Sequence, residues 1–410
     1  MLGSSPVKGI LAGLGASVIA LTLFFLRWPL SGIELALYDR NFQWFWAEPS
    51  APSEIVIVSI DSASLDALGS FPWPRAHHAA VIREVARGGA RAIGVDIGFF
   101  QPDRYDPLND QQLIQATADA GNVVFPMVFE EFEDAGRLRV RPIMPIPELA
   151  AVSAGYGHSH LEQGPDGIVR SVHLAYRTED AIFWRIDLEV LRQYLDVPES
   201  GIRPLRPGVL GIASLEVPAG EPLRREEEEG TPVPDYELNI GYIGGAGTFE
   251  QISARDVIEG RFPGDSFKDK IVLYGATASG LGDLHLTPMS GEGSGSSGVE
   301  IQANIVNTIL KRRFLRRAGP GFTILLCVLG SVAVGSVYFR FRARAAFLLM
   351  LSFLLAVTVV YFLAFNALGY WLEIAPIPVA LMLGFAGSSL IDDGRTTANR
   401  ARIDADSRSQ

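Results

Sequence analysis

Acidic side chains recur in this chain at the ends of apolar, β-branched runs, where they could bind or orient a charged group. Asp61 follows Ile55-Val-Ile-Val-Ser-Ile60, Asp96 lies near the end of the run that starts at Ala92, and Asp283 follows a Gly-rich bend at 275–280. In open parallel sheets ligands lie outside the carboxyl ends of the strands, because the loops diverge there and leave a crevice. Asp61, Arg75, Asp96, Gly275, Thr277, Ser279 and Asp283 are therefore the candidate ligand-contacting residues, gathered on one rim and suited to a small polar or ionic ligand. The opposing reading is structural. Asp61 and Asp96 would be hydrogen-bonded to loop amides, and Arg75 and Arg170 would cap such carboxylates.

Other chemistries fare less well. The bend at 275–280 has the Gly-x-x-x-x-Gly spacing of a phosphate loop, but Leu281-Gly282 stands where Lys-Ser/Thr is required. Its amides remain open to two readings, an anion cradle or a tight turn. Ser279, Asp283 and His285 are triad residue types crowded on one loop, without the strand-turn-helix elbow that exposes a nucleophile. His158 and His160 alternate on a strand-like stretch with Glu162 beyond them, and His77, His78, His173 and His285 lie elsewhere. A zinc or copper site on His158 and His160 is one reading; exposed or hydrogen-bonded histidines are the other, favoured by the absence of a helical His-x-x-x-His pair. The single cysteine, Cys327, sits in an apolar run, which excludes an intrachain disulfide, a CxxC pair and a Cys nucleophile in the polar region. No catalytic residue and no cofactor is expected.

The elements that would position the rim read as alternating strands and helices. Residues 55–60 form a continuous β-branched run, as a strand buried on both faces does. A helix over 76–87 ends at Gly88-Gly89, and 92–97 is the next strand, completing a βαβ unit. A helix at 110–120, strands at 122–129, 155–160 and 168–176, a helix at 183–195, strands at 237–243 and 270–275, and a helix at 298–317 follow. Residues 224–234, with Glu226 to Glu229, read as an exposed acidic loop, and 290–298 as a Gly/Ser-rich one. The fold class expected is α/β, a single domain with a mainly parallel sheet and no second soluble domain, plus four transmembrane α-helices.

The membrane assignment comes from hydropathy. Of 410 residues 48% are hydrophobic, and the mean hydropathy is +0.21, high for a water-soluble chain. Residues 9–26, 318–339, 345–366 and 374–391 are the four apolar segments, each near the ~20 residues that cross a bilayer. Trp28 and the Phe42, Trp44, Trp46 group suit interfacial anchoring or core packing. Four crossings leave residues 1–8 and 392–410 on one side and 27–317 on the other. The Lys and Arg residues choose poorly between the sides, because Lys311, Arg312, Arg313, Arg316 and Arg317 oppose Lys8 and the Arg340–Arg344 loop. Cytoplasmic termini are preferred, since Lys8 leads the first segment and long domains translocate largely regardless of charge. With 35 Lys and Arg against 46 Asp and Glu, a net −11, the chain has the wrong sign for a nucleic-acid partner.

Taken in order, Ile55-Val-Ile-Val-Ser-Ile-Asp61, Phe71-Pro-Trp-Pro-Arg75, Gly94-Val-Asp-Ile-Gly-Phe99, Asp166-Gly-Ile-Val-Arg170, Lys270-Ile-Val-Leu-Tyr-Gly-Ala-Thr-Ala278 with Asp283 and Thr287-Pro288, and Gly298-Val-Glu-Ile-Gln-Ala-Asn304 resemble the second type of CHASE domain, the cyclase/histidine-kinase-associated sensory extracellular family. The resemblance extends to the layout of one membrane helix before the domain and three after. It implies an extracytoplasmic sensory domain in the cell membrane, feeding a cyclase, histidine kinase or diguanylate cyclase. Its implied partners are an extracytoplasmic ligand or protein, membrane lipids, and a second copy or a signalling subunit. Residues 392–410 are a polar tail too short for an output domain, so the output is expected on a continuation of the chain or on another subunit. The competing expectation is a non-sensing membrane scaffold or assembly subunit.

Overall fold

The computed structural model describes residues 5–26, 30–46, 52–134, 137–178, 181–220, 233–291, 295–341 and 343–408. The chain divides into two compact units, one made of Met1–Asn41 with Arg317–Gln410 and the other of Phe42–Arg316. Arg27-Trp28-Pro29, most of the acidic loop at 224–234 and part of the Gly/Ser-rich loop at 290–298 lie outside the described residues.

The first unit begins with α1 (Ser5–Phe25) and α2 (Leu30–Asn41). The second unit then runs β1 (Ile55–Ile60), α3 (Ser62–Leu68), α4 (Arg75–Arg87), β2 (Ala92–Val95), α5 (Pro107–Ala120), β3 (Val123–Asp134), β4 (Arg137–Ile143), α6 (Pro147–Ala150) and β5 (Gly155–His158). After these come β6 (Ser171–Arg177), β7 (Ile182–Trp184), α7 (Ile186–Tyr194), β8 (Ile202–Arg206), β9 (Val209–Ile212), β10 (Leu215–Pro218) and β11 (Val233–Asn239). The unit closes with β12 (Glu250–Ser253), α8 (Ala254–Ile258), β13 (Ile271–Ala276), β14 (Leu284–His285), β15 (Ser296–Ser297) and α9 (Gly298–Leu310). The first unit resumes as α10 (Pro320–Phe341), α11 (Ala343–Leu368) and α12 (Pro376–Arg408).

The main sheet has the order β12-β1-β13-β2-β3, all parallel, with β5 parallel to the first half of β3 and β4 antiparallel to its second half. Every residue of β1 is buried, the expected consequence of covering a parallel sheet on both faces. Val56, Val58 and Ile60 point into one cluster with Ile82 and Val85 of α4 and Leu113 of α5. Ile55 and Ile57 alternate to the other face, where α7 and α9 pack against the sheet. Each such side chain, fully buried, contributes roughly 1.5–3 kcal/mol. Gly94 on β2 admits α7, since a Cβ there would lie 2.7 Å from Val190. Two smaller antiparallel sheets, β10-β9-β8 and β11-β6-β7, flank this core.

Several elements differ from the sequence expectation. The helix expected over 183–195 begins at Ile186, because 182–184 pair with β6 as a strand. Arg185 at the junction is fully buried against Asp187, Nε to Oδ2 2.6 Å. The helix expected over 298–317 stops at Leu310, since Lys311 caps it and Arg312 turns to φ +54°. The basic residues after it are therefore not a helical face. Lys311 pairs with Glu54 at 2.5 Å, and the Arg313 guanidinium lies 4.5 Å from the Trp46 ring centroid.

In the first unit α1, α10, α11 and α12 pack on one another. Among the described residues, three helical stretches are long and apolar enough to cross a membrane: Val7–Phe25, Pro320–Phe341 and Ala343–Leu368. The fourth expected crossing falls on the start of α12, whose apolar part ends where Asp392 and Asp393 begin.

Candidate functional site

The loops leaving β2 and β13 and the start of α9 build the part of the rim where acids converge. Asp96 follows β2, and its backbone N–H donates to the Tyr274 carbonyl of the neighbouring β13 at 2.7 Å. Asp283 lies after the turn at Ser279–Leu281, which Gly282 closes at φ +78°. Gly275 permits the approach of α9, as a Cβ there would stand 3.0 Å from Val299 and 3.1 Å from the Asp96 Cβ. Asp96 is thereby held where burial, reinforced by the charge of Asp283, pushes its carboxyl up to about 7. A hydrogen bond from the buried Gln302 and the charge of Arg185 oppose that rise, and Asp187 adds to it. A carboxyl near neutrality facing a second carboxylate is a common arrangement at functional sites.

Asp96 and Asp283 border two cavities of about 610 Å³ each. The first lies among the ends of β2, β3 and β5, the His285 strand and the start of α9, and includes Phe129, His158, His160, Tyr176, His285 and Gln302. His158 is 1% exposed, and neither ring nitrogen has a hydrogen-bond partner. Burial holds its imidazole well below the ordinary pKa, hence neutral. The Phe129 and Tyr176 rings are 5.2 Å apart, and Tyr176 lies edge-on to His158 at 4.8 Å. The second cavity is walled by the loop after β2 and by Phe71, Trp73 and Arg75.

The remaining rim residues are placed differently. Asp61 caps α3, its Oδ1 accepting from Ser64 N at 2.8 Å, Ser64 Oγ at 2.7 Å and Ser253 Oγ at 2.9 Å. It is on neither cavity wall. Arg75 lines the second cavity but is bonded to Asp110 and to the Gln101 carbonyl, and its guanidinium is 5.2 Å from the Phe99 ring. Arg170 pairs with Asp166 at 2.7 Å. The Thr277 and Ala278 amides both donate to the Ile60 carbonyl at 3.1 Å, which leaves the 275–280 bend acting as a turn. Thr277 is half-buried and Ser279 exposed.

Of the triad residue types, His285 Nε2 meets Asp283 Oδ1 at 3.1 Å. His158 and His160 reach the same cavity, the first buried and the second exposed, while Glu162, which is not on its wall, accepts from Tyr176 at 2.7 Å and His173 at 3.0 Å. Among the described residues no three His, Cys, Asp or Glu side chains gather in a metal-holding arrangement. Phe129, Tyr176 and Gln302 complete the wall without being candidates by residue type and spacing. Gln302 stood within the Gly298–Asn304 motif and was findable there; the two rings carry no sequence signal of their own.

The family model of the CHASE2 domain matches residues 16–337, from within α1 through the α/β unit into α10. The chain belongs to the CHASE2 family. CHASE2 domains are sensory extracellular domains, typical of signalling receptors and sensory rather than catalytic. Together with the three apolar helices, membership indicates a membrane protein. No curated protein matches the chain, and no solved structure does. The matched residues include both Asp96 and Asp283.

Proposed function

We propose that this CHASE2 protein is a membrane-bound sensory input module. The α/β unit lies outside the cytoplasm, α12 supplies a fourth crossing up to Ile391, and both termini are cytoplasmic. A small polar or ionic ligand binds in the crevice at Asp96 and Asp283. The resulting change passes through the two chain ends of the α/β unit, at Phe42 and Arg316, to a cyclase, histidine kinase or diguanylate cyclase output. The chain itself catalyses nothing.

The observation that carries the reading is the meeting of Asp96 and Asp283 at the carboxyl edge of a parallel sheet, beside a cavity whose wall includes a buried histidine without hydrogen-bond partners. That edge is where open α/β sheets hold ligands, and an unpaired buried polar group is costly unless something completes it. Topology tests the placement. An alkaline phosphatase fusion within 224–234 is expected to be active and one after Gln410 inactive; the opposite pattern overturns it. Asp96→Asn tests the site, because it removes charge at constant size. A variant that responds to the native stimulus as the parent does would remove Asp96 from the stimulus site.

A further inference from the structure

The wall of the first cavity restricts what can occupy it. Among the described residues it carries the two carboxylates of Asp96 and Asp283 and no Lys or Arg. Arg185 stands nearby but forms no part of this wall, and its Nε is paired with Asp187 at 2.6 Å. The amino end of α9, which could otherwise attract an anion, is already occupied: the Gly298 N–H donates to Asp283 Oδ2 at 3.1 Å. His158 offers no positive charge, because burial keeps it neutral. An anionic ligand would face two carboxylates, of which Asp283 is met by the His285 Nε2 at 3.1 Å and the Gly298 N–H, whereas a cation would be stabilised by both.

The rest of the wall fits an organic cation better than an inorganic one. A divalent ion needs several donors at fixed short distances, and no such group of three is assembled among the described residues. The wall instead supplies apolar and aromatic surface, Met127, Phe129, Leu161 and Tyr176, and ring faces attract ammonium groups. His158 adds an acceptor nitrogen on a 1% exposed side chain that no protein donor reaches.

We propose that this cavity binds a small organic amine, its ammonium between the Asp96 and Asp283 carboxylates, its apolar or aromatic body against Phe129 and Tyr176, and a ligand N–H or O–H completing His158. The assignment rests on the reading of this crevice as the stimulus site and names the ligand class for it. A pH dependence follows. The ammonium requires Asp96 ionised, and the groups facing Asp96 are Asp283 with its partner His285, Gln302 on α9, and the Arg185–Asp187 pair. As Asp96 titrates at about 7, binding in acid must displace its proton, and affinity falls as pH drops through that value.

The test uses the full chain in lipid nanodiscs and isothermal titration with phenethylamine, putrescine, 2-phenylethanol and phenylacetate, with calcium and zinc chloride as separate probes. The amines are expected to bind, and the alcohol and the carboxylate to bind at least about ten-fold more weakly. Amine affinity is expected to drop roughly ten-fold or more between about pH 8 and pH 5.5, a slope that Asp96→Asn abolishes along with most of the binding. If that variant does not fold, the isostere comparison on the parent protein decides alone. Equal binding of the alcohol, preference for phenylacetate, binding of the metal ions without the amines, or no amine binding up to about 10 mM each overturns the proposal. Because binding is read directly, amine binding with no effect on output would refute the sensory reading and leave the ligand class standing. Active phosphatase fusions with no amine binding would refute the ligand class and leave the extracytoplasmic placement standing.

Discussion

Asp283 and Gly298 are in contact such that neither can change alone. The Gly298 N–H donates to Asp283 Oδ2 at 3.1 Å, and a Cβ on Gly298 would fall 2.6 Å from that oxygen. The missing side chain is what lets a carboxylate sit on the first turn of α9, where the helix dipole favours it. The same carboxylate raises Asp96 across the crevice.

Gly298→Ala is therefore expected to push Asp283 off the helix end while leaving the Ser297–Glu300 capping box in place. The loss of global stability should stay near about 1 kcal/mol, the scale of one charge–helix interaction. Asp96 should then titrate lower, because its acidic neighbour has moved away. Carboxyl titration by NMR or infrared difference spectroscopy reads this, and an unchanged Asp96 would show that Asp283 had not moved.

His78 sets an acid limit on the domain. It is buried, its Nδ1 is 2.8 Å from the Tyr274 hydroxyl, and burial, with the nearby charges of His77 and Arg75, depresses it to about 3. The group is neutral in the fold and charges more readily once unfolded, so its contribution is complete above about pH 6.5 and is lost as pH falls toward 3. The full linkage is on the order of 5 kcal/mol. His158, also depressed, adds to the same slope. Unfolding midpoints of the full chain should fall across this window, and His78→Gln should flatten the fall by about half. An unchanged slope in that variant would place the acid sensitivity elsewhere.

The sequence was most legible where one residue type answers one local need. β1 could be read because a strand buried on both faces must be apolar at every position, and 55–60 is so except for Ser59. Asp96 and Asp283 could be nominated because strand ends are where such sheets bind. What separates them from Asp61 is the sheet order. β13, far along the chain, inserts between β1 and β2, so Asp61 faces Ser253 of β12 while Asp96 faces Asp283. No local pattern encodes that insertion. The strands of 202–218 are short, interrupted by Pro204, Pro207 and Gly208, and lack the alternation that would mark them. The unpartnered nitrogens of His158 depend on what β3, β6 and α7 bring around it, which spacing along β5 cannot reveal.

Within the first unit, Glu34 of α2 is a second group that titrates near neutrality. Its carboxylate is 5% exposed and accepts from Ala375 N at 2.8 Å and Trp371 Nε1 at 3.2 Å. Burial raises its pKa to about 7 against the pull of those two donors, with Glu373 adding to the rise. A carboxyl whose folded pKa exceeds its unfolded value of 4.5 contributes stability below 4.5, and that stability is lost as pH rises through about 7. Melting temperatures in detergent should decline over that range, and Glu34→Gln, which stays uncharged, should remove this part of the decline. A Gln variant with the parent's slope would assign the titration to another group.

The approach of α1 to α10 rests on residues without side chains. A Cβ on Gly13 would lie 2.5 Å from Val332 Cα and 2.7 Å from the Ser331 carbonyl oxygen, both backbone atoms that no rotamer change can move. Gly9 meets Gly335 in the same way one turn earlier. At this separation Ser17 Oγ is 2.7 Å from Ser331 Oγ, and Ser331 also reaches the Gly13 carbonyl at 3.0 Å. Small residues allow such contact between apolar helices, where packing and interhelical hydrogen bonds replace the hydrophobic drive. Gly13→Ala must therefore separate the helices and break the serine pair, a loss of roughly 1–3 kcal/mol. Gly15, two residues on, has open space around it, and Ala there should be neutral or stabilising by up to about 1 kcal/mol through helix propensity. Thermal melts of the two single variants in the same detergent make the comparison. Equal effects would mean that helix propensity, and not the approach of α1 to α10, governs this unit.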